Sequence, residues 1–189
     1  ETPQKRITLV RELDKRTIYI KKELKAYNKE VWKTLKELDL QGIPHIYSLK
    51  ENEEELEIIE EYISCNTLED CLKERCFSHE EAYQITRQLC VILDVLHKQT
   101  PPIIHRDIKP ENIFVSATGD FKLGDFGIAR TIEKTTFGMS KKGTYPYMAP
   151  EIYQGKESDI LVDMYSLGLV MYRMLNDNRL PFFPEYPQK

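Results

Sequence analysis

The stretch His105-Arg106-Asp107-Ile108-Lys109-Pro110-Glu111-Asn112 decides how this chain is read. It sets an aspartate, a lysine and an asparagine within six residues, after the apolar pair Ile103-Ile104 and before the apolar run Ile113-Phe114-Val115. A polar loop pinned between two short apolar strands is a site rather than a core. Thirteen residues past Asn112 comes Asp125-Phe126-Gly127. Between them, Ala117-Thr118-Gly119-Asp120 predicts the turn of a hairpin whose second strand is Phe121-Lys122-Leu123. An antiparallel hairpin brings its open ends together, so Asn112 and Asp125 can share one divalent cation, and their oxygen ligands suit magnesium.

Taken with Ala149-Pro150-Glu151, in this order and spacing, these motifs resemble the eukaryotic-type protein kinases. Lys109, two residues after Asp107, and Gly143-Thr144-Tyr145-Pro146-Tyr147-Met148, leading into Ala149, resemble the serine/threonine version. The resemblance implies an α+β, protein-kinase-like two-lobed fold, incomplete at both ends. A small β-rich lobe with one helix is expected over residues 1–62, and a mostly helical large lobe over residues 63–189. It also implies ATP and Mg2+ as cofactors and protein Ser/Thr hydroxyls as substrates.

Phosphoryl transfer asks a protein mainly to position reactants and neutralise charge. By resemblance Asp107 accepts or orients the proton of the attacking hydroxyl, and Lys109 lies against the γ-phosphate. Asn112 and Asp125 hold the magnesium. His105 is expected to pack beneath Phe126 as a core imidazole, and Asp163 to brace the backbone of the loop. Arg106 is the residue type that pairs with a phosphorylated activation segment in related kinases, with Thr131, Thr135, Thr136 and Ser140 as acceptors.

Ahead of the loop, residues 7–10 and 17–20 read as a strand pair. Leu24, Tyr27, Val31, Leu35 and Leu38 then recur at helical spacing until Gly42 and Pro44. Residues 46–49 and 56–59 predict two further strands. Glu61-Tyr62-Ile63 matches the hinge between lobes, where Glu61 and Ile63 would meet the adenine through their backbone. Tyr19-Ile20-Lys21-Lys22 offers two lysines for the ATP phosphates. Alternation favours Lys22, if Ile20 covers the adenine, with Lys21 as the alternative. Glu30 is the expected helix partner of that lysine. Glu60 falls at the gatekeeper position, where the family usually places an apolar or threonine side chain. Further on, Ser78-His79-Glu80-Glu81 predicts a capping box opening a long helix. Asp159 or Ser158 would cap a last helix from Ile160 to Leu175, apolar on every side.

Composition narrows the partners. A hydrophobic content of 41% suits a soluble fold, and a net charge of −4 argues against nucleic acid or an anionic membrane as the main partner. Cys65, Cys71, Cys76 and Cys90 form no Cys-x-x-Cys pair, which points to reduced thiols in a cytoplasm. The longest apolar region, residues 161–175, is broken by Asp163, Ser166 and Arg173, so no membrane span is expected. Residues 1–6 contain no glycine-rich phosphate loop, the first glycine being Gly42, and the chain stops soon after Pro184. Truncation at both ends, low activity and self-association through the uncovered last helix are the corresponding expectations. The rival readings are a pseudokinase-like nucleotide- or partner-binding module and a small-molecule kinase. The peptide platform from Gly143 to Glu151 disfavours the latter.

Overall fold

Alternation of buried and exposed side chains organises the first third of the chain. In the computed structural model, which describes residues 5–13, 17–116, 119–129, 145–154 and 159–181, the chain divides into two units, residues 1–64 and 65–189. In the first unit β1 (Lys5–Arg11) pairs antiparallel with β2 (Ile18–Leu24). Helix α1 (Lys29–Leu38) follows, then β3 (Ile46–Glu51) and β4 (Leu56–Glu61). The sheet runs β1-β2-β4-β3 with every neighbour antiparallel. Lys22 lies opposite Ile58 and Leu24 opposite Leu56, so these residues and Glu60 share one buried face. Against it α1 sets Val31, Trp32 and Leu35, all buried.

The helix begins later than its apolar spacing suggests. Leu24 continues β2, pairing with Lys5 across the sheet, and is buried there. Tyr27 donates its hydroxyl to Glu51. The helix starts at Asn28, whose side-chain oxygen accepts the N–H groups of Glu30 and Val31. That cap satisfies two of the otherwise orphaned donors of the first turn. At the other end Asp39 takes the left-handed conformation, with φ 41°, and closes the helix.

The second unit opens with α2 (Leu68–Glu74), capped by a reciprocal box between Thr67 and Asp70. Helix α3 (His79–His97) begins with the expected box between Ser78 and Glu81. Its buried Ala82, Ile85, Leu89, Ile92, Leu93 and Leu96 form the stripe that a 3.6-residue period requires. The hairpin of β5 (Ile113–Val115) and β6 (Phe121–Leu123) follows in the expected place. A short α4 (Pro150–Tyr153) and α5 (Leu161–Leu175) complete the unit. Asp159 accepts the Leu161 N–H at 2.8 Å and so caps α5; Ser158 lies outside the described residues.

Among the described residues, helix α5 packs on one side. Ile104, Ala149 and Val162 form a small core cluster with Ile152 and Tyr165 against it. Leu161, Met164, Tyr172 and Leu175 are exposed along one face of the helix. Beyond its last turn, Asn178 donates its side-chain amide to the Leu72 carbonyl of α2 at 3.0 Å.

Candidate active site

The loop from His105 to Asn112 has no regular secondary structure before Pro110, so its shape must be imposed from outside. Asp163 of α5, fully buried, imposes it. One carboxylate oxygen accepts the His105 N–H and the other the Arg106 N–H, both at 2.8 Å, while His97 Nε2 lies 2.9 Å from the first. Held this way, Arg106 adopts φ 68°, a left-handed conformation that a non-glycine residue takes only when its surroundings dictate it.

His105 carries the order one step further. The Asp107 N–H donates to Nδ1 at 3.3 Å, which makes Nδ1 the acceptor and leaves Nε2 to donate to the Gly124 carbonyl at 2.9 Å. Its ring meets the Phe126 ring edge-on, with centroids 4.7 Å apart, as a core imidazole should. One imidazole therefore ties the residue before Asp125 to the backbone of Asp107.

The functional side chains converge within this frame. Lys109 Nζ lies 2.9 and 3.1 Å from the two oxygens of Asp107. Asn112 donates its amide nitrogen to the Asp107 carbonyl at 2.8 Å and to its carboxylate at 2.9 Å, which commits the nitrogen and turns Oδ1 to other partners. The Gly124 N–H donates to the Asn112 carbonyl at 2.8 Å, just beyond the Ile113–Leu123 pair, so the hairpin brings Asn112 and Asp125 to its open end. Asp125 is left-handed, with φ 60°. The position before it is crowded, since a Cβ on Gly124 would sit 2.5 Å from the Phe114 ring and the ring would have to shift. Asn112 and Asp125 thus carry hard oxygen donors of the kind that would suit a divalent cation. Among the described residues no group of three or more His, Cys, Asp or Glu forms a metal cluster of another kind.

In the first unit the structure separates the two lysines. Lys21 is half-buried between Glu57 and Glu23, at 2.7 and 2.9 Å. Lys22 is only 5% exposed, with Nζ 2.5 Å from Glu60 Oε1 and 6.0 Å from the centre of the Trp32 ring. The structure does not bring Glu30 to it. Glu30 stands on the solvent side of α1, its carboxylate 3.2 Å from Lys33. The reason is helical phase: burial of Val31, Trp32 and Leu35 turns position 30 outward, and the indole fills the space over Lys22. Glu61 ends β4, donating its N–H to the His45 carbonyl and accepting the His45 N–H on its side chain, and Ile63 follows in a segment without regular structure.

Two contacts escaped the sequence reading. Glu60 as partner of Lys22 had a visible signal, an acidic residue alternating with Leu56 and Ile58 on a buried face, because such a group needs a counter-charge. Arg173 had none. Its guanidinium reaches Glu69 of α2 at 2.6 and 3.2 Å and the Tyr147 hydroxyl at 2.7 Å. Burial pushes the Tyr147 phenol up to about 12. Thr131, Thr135, Thr136 and Ser140 lie outside the described residues.

A carboxylate–lysine pair next to two oxygen donors for a hard cation is the kind of donor set that phosphoryl transfer asks for. The chain belongs to the protein kinase domain family, which it matches over residues 1–188, and it is similar to proteins named as serine/threonine kinases. It is 36% identical over 151 residues to serine/threonine-protein kinase A of Synechocystis sp., covering 74% of this chain and 29% of that protein. To serine/threonine-protein kinase TIO of Arabidopsis thaliana it is 34% identical over 154 residues, 81% of this chain and 11% of the other. To a probable serine/threonine-protein kinase PknB of Lactococcus lactis it is 30% identical over 149 residues, 77% and 23% of the two chains. The chain therefore spans less than a third of the length of each of these three relatives. The family uses ATP with a divalent metal.

Replacing Asp163 with alanine strands two backbone N–H groups in a buried setting, at about 1–3 kcal/mol each. The variant should unfold at a clearly lower denaturant concentration than the parent. An unchanged midpoint in chemical denaturation would show that the loop is held by something else.

Proposed function

We propose that this chain transfers the γ-phosphate of ATP to serine and threonine hydroxyls of proteins, with magnesium as the metal. The observation that carries the reading is the convergence of Asp107, Lys109 and Asn112, with Asp125 next in sequence to the Gly124 that bonds to the Asn112 carbonyl. Asp107 orients the substrate hydroxyl and takes up its proton as the oxygen attacks. Lys109, already drawn to that carboxylate, is placed to share charge with the transferred phosphoryl group. Asn112 and Asp125 would hold magnesium, which when bound supplies charge neutralisation for the phosphates. Lys22 is the lysine for the ATP phosphates, and the backbone of Glu61 and Ile63 the support for the adenine.

The lobes of this reading cover residues 1–62 and 63–189, and the compartment is the cytoplasm, in keeping with four cysteines that are all free thiols. No helix among the described residues is long and apolar enough to cross a membrane. The substrates are proteins rather than nucleic acids, consistent with the acidic net charge.

Asp107→Asn and Asp125→Asn in the intact protein should each lower ATP-dependent phosphorylation of a protein substrate by about 100- to 10,000-fold while leaving the fold intact. Full activity in the Asp107 variant would sink the assignment. Arg106 in turn pairs with a phosphate on Thr131, Thr135, Thr136 or Ser140 in the active protein. Mass spectrometry of active protein should find at least one of these four modified, and finding none would remove that role. The exposed stripe of Leu161, Met164, Tyr172 and Leu175 supports association with a second copy. Light scattering of the 22.3 kDa chain should then show a dimer, and a clean monomer at high concentration would count against it.

A further inference from the structure

From the buried face of the small sheet we infer that Glu60, and not a residue of the helix, is the positioning residue for Lys22. The inference rests on the reading of Lys22 as the lysine for the ATP phosphates. In the register of β2 and β4, Ile20 lies opposite Glu60 and Lys22 opposite Ile58. Lys22 and Glu60 are therefore diagonal neighbours on one face, within reach of each other for long side chains. Both are nearly excluded from water, at 5% and 6% exposure, and their charged atoms meet at 2.5 Å. A buried ammonium needs a buried counter-charge, and the described residues supply Glu60.

The geometry also excludes the obvious competitor. Glu30 is committed to Lys33 on the solvent side of α1, and the Trp32 ring occupies the helix surface over Lys22. The lysine's position is thereby set by hydrogen-bonded strands and not by the placement of a helix. One oxygen of Glu60 engages the ammonium, and an ammonium carries three donors, so the same contact that holds Lys22 leaves it able to meet a phosphate oxygen. Glu60 also lies one residue before Glu61, so one strand end both supports the adenine and aims the lysine.

The test uses the intact protein and compares Lys22→Met, Glu60→Gln, Glu60→Asp, Glu30→Ala and the Lys22→Met/Glu60→Gln double variant. Readouts are kcat/KM for ATP and the dissociation constant of a fluorescent ATP analogue. Glu60→Gln should lower kcat/KM for ATP by about 10- to 100-fold, the range for loss of one charged hydrogen bond. Glu60→Asp, which keeps the charge and so protects the fold if the glutamine variant is unstable, should recover part of that loss. Glu30→Ala should stay close to the parent. In the Lys22→Met background the glutamine change should leave nucleotide affinity almost unaltered, because the side chain it positions is gone.

The proposal is overturned if both Glu60 variants keep the parent's kcat/KM, or if Glu30→Ala loses as much as Lys22→Met. It is equally overturned if Glu60→Gln weakens nucleotide binding as much without Lys22 as with it, since Glu60 would then act only on the fold. Parent-like kcat/KM in Lys22→Met is a separate result: it removes the assignment of Lys22 on which the proposal stands.

Discussion

A single carboxylate without access to water, that of Asp163, is what the loop from His105 to Asn112 depends on. Regular structure would satisfy the backbone of residues 105–109 by its own repeat, but a loop that must turn its side chains toward a ligand forgoes that repeat. Asp163 replaces it with two accepted N–H bonds from consecutive residues, and His97 lies against the same carboxylate. The left-handed turn at Arg106 follows from this grip, and with it the direction in which Asp107 leaves the loop. Through His105 the same support extends to Gly124, and so to the backbone on which Asp125 stands. Loop and hairpin are thus parts of one hydrogen-bonded frame built on α5.

The small sheet solves a different problem, keeping a cation inside a protein. Its buried face is otherwise aliphatic, with Leu24, Leu56 and Ile58 around the pair. In such surroundings an ammonium persists only with a partner at close range. Placing both members on adjacent strands ties their separation to the ladder, whereas a partner on α1 would move with the helix.

Much of this was legible from residue order. The hairpin could be read because Gly119 and Asp120 interrupt two apolar runs of strand length, and α3 because Ser78 and Glu81 stand three apart before a periodic stripe. Alternation favours Lys22 only on the condition that Ile20 covers the adenine, and it is the burial of Lys22 that separates it from Lys21. The start of α1 was misplaced because Leu24 and Tyr27 sit at helical spacing from Val31 by coincidence. Strand pairing claims Leu24, and Asn28, a strong cap, marked the true boundary. Glu30, the expected helix partner of Lys22, faces solvent instead. Its actual direction depends on which helix face Trp32 occupies, and this is a packing outcome rather than a sequence pattern. The pairing of Lys22 with Glu60 needs the register between β2 and β4, which no local rule supplies. For α5, apolar residues all around the helix together with the expected uncovered side predict large side chains facing water, and Leu161, Met164, Tyr172 and Leu175 are exposed.

Arg173 and Asn178 reach back 104 and 106 positions to α2. Between those two ends of the chain lie the long helix, the loop from His105 to Asn112, the hairpin and the Ala149-Pro150-Glu151 motif, all enclosed in one span. Closing so long a span carries a chain-entropy cost that local contacts do not repay. The tie between α2 and the end of α5 offsets part of that cost by joining Arg173 to Glu69 with both side chains largely out of water.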